Sequence, residues 1–243
     1  MTLEQLLAIY KEASAKAGTE YKCLSDSGSS EDSFGVSMDG DVCQVRVSGP
    51  LDGWYGASAS EIIAALDKLA PTTINLLIDS PGGFVVEGLS LYSDLRARAD
   101  KGATITAEAR GLVASAAVLP YLAADLENRT MGEGAMLMVH EPYGGLFTYG
   151  NADEIETEAA KTVKAIRAFA NNYVDILAAR TPASKADVLA AVKAETWYLA
   201  DEAVTAGYAT SVSNETPQDP KALAIAAKQR HKMAASILNR VTR

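Results

Sequence analysis

Three short runs hold the residues best suited to chemistry: Asp79-Ser80-Pro81-Gly82-Gly83, Gly111-Leu112-Val113-Ala114-Ser115-Ala116-Ala117, and Met138-Val139-His140-Glu141-Pro142. The second sets one hydroxyl among small and apolar neighbours, just after a strand-like run from Ala103 to Ala109. His140 follows 25 residues later, at the end of another apolar run. Serine is a weak nucleophile until a base takes its proton, and histidine is a suitable base. Paired glycines let backbone N–H groups face a developing oxyanion with no Cβ in the way. Nucleophile, base and oxyanion donors are the parts of an acyl-transfer site. Taken singly, each has a plainer reading. Ser115 could be a small residue for tight helix–strand packing, His140 a strand-end core histidine, and Gly82-Gly83 a simple turn.

These runs need elements to carry them. Val42 to Val47 alternates as a strand does, and Thr73–Ile78, Ala103–Ala109 and Ala135–His140 read as further strands. The last three recur about every 30 residues with helical patterns between them, the length of right-handed βαβ units with parallel strands. Ser58-Ala59-Ser60-Glu61 is a capping box opening a helix that runs to about Leu69. Helices are expected at Gly83–Ala99, Ala114–Ala124, Asn151–Arg180, Ser184–Ala194 and Leu199–Ala206. His140 then lies at a rim formed by strand ends, where open α/β sheets place ligands.

The ends of the chain differ from its middle. Thr2-Leu3-Glu4-Gln5 is another capping box, with Leu3, Leu6, Leu7 and Tyr10 on one helical face. Ser25 to Asp32 is polar, acidic and rich in Ser and Gly, as a linker is. Residues 1–43 hold eight acids and three bases, whereas residues 221–243 hold six Lys or Arg and no acid. The tail after Pro220 is a basic helix candidate, and His231 within it reads as solvated.

A hydrophobic content of 48% supports a substantial core, and the net charge of −9 argues against generic nucleic-acid binding. No run of eighteen uncharged apolar residues is present, so no membrane helix is expected. The N-terminus mixes charges into its apolar pattern and does not read as a signal peptide, so a cytoplasmic protein is expected. Cys23 and Cys43 are expected as free thiols. With two histidines and no Cys/His cluster, neither a metal site nor a cofactor is expected.

Ser80-Pro81-Gly82-Gly83 with Gly88, then Ala114-Ser115, then His140-Glu141-Pro142 with Gly144-Gly145, then Asp201-Glu202-Ala203-Val204 with Gly207 occur in one order and spacing. That set resembles the Clp-type serine peptidases over roughly Gln44 to Val212. Within them the chain looks most like the phage-borne branch that matures capsids. The resemblance implies an α/β fold of the ClpP/crotonase type, a spiral of βαβ units with a protruding handle helix, Asn151–Arg180. It implies a peptidase domain over 42–213, preceded by a helix and linker over 1–41 and followed by a basic tail over 214–243. It implies catalytic Ser115 and His140, an oxyanion hole from the amides of Gly83 and Ala116, and substrate contacts from Gly82 and Pro142. Aligning Glu202-Ala203 and Gly207 puts Glu195 where the family has the Asp of its triad, with Asp201 as competitor.

The implied partners are a peptide or protein substrate and further copies of the chain in a ring. Ile155, Val163, Ile166, Phe169 and Val174 of the handle would bury against a partner. The family's basic, Tyr-rich N-terminal segment for ATPase docking is replaced here by the acidic linker, which argues against an ATPase partner. The expected activity is that of a serine endopeptidase cleaving scaffold or capsid precursor, in the host cytoplasm or within the procapsid. The alternatives are a housekeeping Clp proteolytic subunit, a crotonase-like acyl-CoA enzyme, and an inactive structural ring or scaffold fusion.

Overall fold

The computed structural model describes residues 34–53 and 56–213. The expected N-terminal helix, the Ser/Gly linker, Cys23, the basic tail and His231 lie outside the described residues.

A single mixed sheet carries the molecule. Its strands are β1 (Phe34–Asp39), β2 (Val42–Ser48), β3 (Thr73–Ser80), β4 (Thr104–Ala114), β5 (Arg129–Gly132), β6 (Met136–Val139), β7 (Thr196–Leu199) and β8 (Ser211–Ser213). The main order is β1-β2-β3-β4-β5-β8, and β6 pairs with both β4 and β7. The pairs β2/β3, β3/β4 and β4/β6 are parallel. The connections between them carry helices α1 (Ala59–Leu69) and α2 (Val85–Asp100) and the short α3 (Val118–Tyr121). These pack their apolar sides on one face of the sheet, over Val45, Val47, Ile74, Leu76, Ile78, Ile105 and Ala107. Three helices follow: α4 (Ala152–Arg180), α5 (Lys185–Lys193) and α6 (Ala200–Thr205).

Side chains cap two helix starts. Ser58 accepts from the Glu61 N–H and opens α1. Asn151 and Glu154 form a reciprocal capping box that opens the 29-residue α4. Two ties then fix α1 to α2. The Glu87 carboxylate accepts from the Ala59 N–H at 2.7 Å, and Arg98 bridges Asp94 and Asp67, each at 2.6 Å.

Helix α4 divides into two halves. Its far end is held in the core by Tyr173, Val174 and Leu177. Arg180, its last residue, donates to the Leu122 and Ala124 carbonyls, each at 2.9 Å, and to Asp125 at 2.7 Å. The hydrogen bond from Arg180, with help from Arg96, holds the Asp125 carboxyl below its usual range. The buried Arg129 donates to the Arg180 carbonyl at 2.6 Å. Val174 is therefore a core residue of its own chain, not one left for a partner. Its neighbours in sequence, Tyr173 and Leu177, form one buried stripe with it. Ile155 and Val163 in the near half stay exposed, at 40% and 45%.

Several elements depart from the sequence expectations. Strand β1 is a hairpin partner of β2, turned at Gly40 with φ 58°. The strand expected to stop at Ala109 runs on to Ala114, and the eleven-residue helix expected at 114–124 shrinks to a 3₁₀ turn, Ser115–Ala117, followed by α3. The all-apolar composition of this stretch suits either a buried strand or a buried helix, so periodicity does not separate them. β5, β7 and β8 have three or four residues each, too short to show alternation.

Candidate active site

Three neighbouring parallel strands end together at one edge, and each is followed by one of the three chemical runs. β3 ends at Ser80 and leads into Pro81-Gly82-Gly83. β4 ends at Ala114 and leads into Ser115. β6 ends at Val139 and leads into His140. Such an edge of carboxyl strand ends is where an α/β sheet can hold a ligand without disturbing its core.

The ladder between β3 and β4 is interrupted just before the edge. Ile78 pairs with Ala109 but Ser80 pairs with Val113, so Arg110, Gly111 and Leu112 together oppose Asp79. The Asp79 carboxylate accepts from the Leu112 N–H at 2.8 Å and so takes the place of the missing ladder bond. Bulges of this kind re-aim the strand beyond them. Here the residue beyond is Ser115, in the left-handed region at φ 57°. A non-glycine residue pays roughly 1–2 kcal/mol to sit there. The non-glycine residues with positive φ among the described residues are Ala70, Ser115 and Glu195. Two of these three are residues singled out from the sequence.

Ser115 Oγ lies 2.8 Å from His140 Nε2. In the tautomer with the proton on Nδ1, Nε2 accepts and the hydroxyl donates. The exposed Tyr143 ring packs edge-on with the His140 ring, their centroids 5.5 Å apart and their planes at 62°. The Ser115 carbonyl accepts from the Tyr173 hydroxyl at 3.1 Å.

Gly82 and Gly83 pack where no other residue fits. Gly82 has φ 87°, and a Cβ on it would lie 2.5 Å from the Ala114 carbonyl oxygen and 2.7 Å from Ser115 Cβ. Its own N–H donates to Ser80 Oγ at 3.1 Å. Gly83 bridges Leu51 in parallel. The Leu51 N–H donates to the Gly82 carbonyl, and the Phe84 N–H donates to the Leu51 carbonyl. In that alternation the Gly83 N–H turns away from Leu51. Ala116 is the second residue of the 3₁₀ turn, and N–H groups in a first helical turn have no acceptor within the helix.

Strand β7 bears on the third carboxylate. It pairs antiparallel with β6, Val139 opposite Thr196 and Met136 opposite Leu199. The ladder ends at the Val139–Thr196 pair, so His140 and Glu195 each adjoin that last pair; Glu195 is exposed and has φ 51°. Asp201 sits in the first turn of α6, beyond the opposite end of β7. The four residues of β7 and Ala200 separate the two acids, the strand alone spanning roughly 13 Å. Sequence periodicity gives no sign of a strand this short, so the pairing that sets the two acids apart comes only from the fold. Pro142 is half-buried in the segment after His140.

A profile of the Clp protease family matches residues 44–216. The chain belongs to the Clp protease family. It is 28% identical over 171 residues to the ATP-dependent Clp protease proteolytic subunit 2 of Pseudomonas aeruginosa, covering 70% of this chain and 81% of that protein. Against proteolytic subunit 1 of Protochlamydia amoebophila the identity is 29% over 178 residues, covering 72% and 82%. A mutant of ClpP1 from Listeria monocytogenes shares the fold with a TM-score of 0.59, at 24% identity, over 71% of this chain and 91% of that one. Clp proteases are serine peptidases, and the ClpP-like mixed sheet with its flanking helices is the fold seen here.

Among the described residues no helix is long and apolar enough to cross a membrane, and no group of three His, Cys, Asp or Glu is placed to hold a metal. Cys43 is a buried free thiol, and burial pushes its pKa up.

Proposed function

We propose that this chain is a serine endopeptidase in which Ser115 attacks the scissile carbonyl and His140 takes its proton. The observation that carries this reading is the 2.8 Å approach of Ser115 Oγ to His140 Nε2 at the strand-end edge. The proton returns from His140 to the leaving amine as the peptide C–N bond breaks, and water then repeats the sequence on the acyl-enzyme. The amides of Gly83 and Ala116 hold the tetrahedral oxyanion. Such donors act because the fold fixes them before charge develops, and losing one costs about 10²–10³ in kcat. Gly82 and Pro142 border the path of the substrate backbone.

Glu195 orients the imidazole and stabilises its charged form. Its place next to Thr196, the partner of Val139, supports this role over Asp201, which lies past the other end of β7. Glu195→Gln is expected to lower kcat by roughly 10–10³, less than the ~10⁴ known for an ideally placed triad Asp. Glu195→Asp is expected to keep substantial activity. Asp201→Asn, measured as kcat on the same peptide, should be normal. An inactive Asp201→Asn beside a normal Glu195→Gln would move the third member to α6.

The working particle is a ring of copies of this chain. Tyr143, Leu146, Phe147 and Tyr149, in the segment before α4, expose large apolar side chains, as do Ile155 and Val163 of its near half. Exposed large apolar side chains in this number are what a partner would cover. Light scattering is expected to give a multiple of 25.6 kDa; a monomer at working concentration would contradict the ring.

The substrate is the scaffold or capsid precursor of a phage head. The acid-rich residues 1–33 and the basic residues 221–243 carry opposite charge suited to charge-guided contact with such a precursor. Coexpression with scaffold and capsid precursor should give trimmed precursor with wild type and intact precursor with Ser115→Ala. Intact precursor with both would favour the second reading, a proteolytic subunit working with an ATPase. The ATP-dependent subunits among its relatives point that way. In that case an unfoldase should co-purify.

A further inference from the structure

Ser115 is held in a strained backbone conformation, and one of its restraints comes from far along the chain. The Tyr173 hydroxyl donates to the Ser115 carbonyl at 3.1 Å, across 58 residues of sequence. Tyr173 is 4% exposed and belongs to the stripe that anchors α4 in the core. Burial pushes its pKa well up, so the hydroxyl keeps its proton and stays a donor. The same carbonyl also receives the Val118 N–H at the start of α3.

The position of this carbonyl bears directly on the nucleophile. The φ of 57° sets how both the Cβ and the carbonyl of Ser115 leave the preceding strand, so a change in φ moves the two together. Relaxing it would carry Oγ away from His140 Nε2, now 2.8 Å distant. The same peptide unit bears the Ala116 N–H, so the Ser115 carbonyl and the proposed oxyanion donor rotate together. From the substrate side, Gly82 lies against Ser115 Cβ and limits the same rotation. Tyr173 limits it from the core.

We propose that Tyr173 is a positioning residue for the acyl-transfer step. Its hydroxyl locks the Ser115–Ala116 peptide so that the nucleophile and the oxyanion donor are set by one bond. This rests on the peptidase reading above and extends it to a residue that touches no substrate. Its chemistry is that of a neutral, buried donor on a helix packed behind the site. Pre-set geometry of this kind acts on the transition state more than on substrate binding.

The test is steady-state hydrolysis of a fluorogenic peptide by purified full-length Tyr173→Phe. The ring still fills its cavity, so the protein is expected to fold, checked by circular dichroism and melting temperature. One lost hydrogen bond corresponds to a fall in kcat of about three- to tenfold, with KM unchanged within twofold. A residue that served packing alone would shift the melting temperature and leave kcat of the folded protein untouched; that outcome overturns the proposal. With 4-aminophenylalanine at position 173 a donor is kept at the ring end, and kcat is expected to return to near the wild-type value. If Tyr173→Phe does not fold, this variant decides. Near-normal kcat supports the donor role, and a tenfold loss in a folded protein overturns it. Ser115→Ala runs alongside. If that variant still hydrolyses the peptide, the peptidase reading has failed, and the result says so separately from Tyr173.

Discussion

Ser115→Ala is expected to bring peptide hydrolysis down to near background, a loss on the order of 10⁶ in kcat when the nucleophile of a serine triad is removed. The change deletes a single oxygen. Ser115 is only partly buried, and its hydroxyl bonds the His140 ring, so the fold has little to lose. Alanine tolerates the left-handed setting no worse than serine does. The melting temperature should therefore stay close to that of the wild type. A folded Ser115→Ala that retains more than a small fraction of activity would mean the nucleophile is another group.

Gly82→Ala is expected to damage both stability and activity, although it removes nothing. The new methyl group would sit 2.5 Å from the Ala114 carbonyl oxygen and 2.7 Å from Ser115 Cβ. No real Cβ approaches a backbone atom so closely, and the residues it meets are the strand end and the nucleophile itself. Relief requires either the Pro81-Gly82-Gly83 turn or the Ser115 turn to move. The left-handed φ of 87° adds its own cost for a residue with a Cβ. Strain and overpacking together come to roughly 2–6 kcal/mol. A displacement of about 1 Å at the reacting centre costs on the order of 10² in rate. Chemical denaturation and peptide kinetics on one preparation read both effects. A variant of normal stability and normal kcat would mean the turn does not pack on the nucleophile as described.

The sequence makes some of this architecture plain and hides the rest for identifiable reasons. The cap at Ser58 marks a helix start because it is a local hydrogen bond to Glu61, written in residues three apart. The strands before Gly82, Ser115 and His140 are visible as apolar runs at the spacing of βαβ units. What the residues do not reveal is how far β4 extends. Its last residues, Leu112 to Ala114, are apolar throughout and carry no period, and the bulge opposite Asp79 is a tertiary arrangement. Short strands are hidden for another reason. β7 is recognisable only through its pairing with β6, yet that pairing ends beside both His140 and Glu195 and leaves Asp201 past its other end. The link from Tyr173 to Ser115 spans 58 residues and has no local signature at all. Along α4, apolar spacing alone does not tell a position that meets its own core, such as Val174, from one left exposed, such as Val163.

The central claim is that Ser115 is a nucleophile activated by His140, and labelling with a fluorophosphonate followed by peptide mapping tests it most directly. Phosphonylation forms a P–O bond to the activated hydroxyl and expels fluoride, so it reports on nucleophilicity without needing the correct peptide. Wild type is expected to take up one equivalent per chain, entirely on Ser115, and His140→Ala is expected to label far more slowly. An adduct on another residue, or a wild-type chain that stays unlabelled while folded and assembled, would contradict the account.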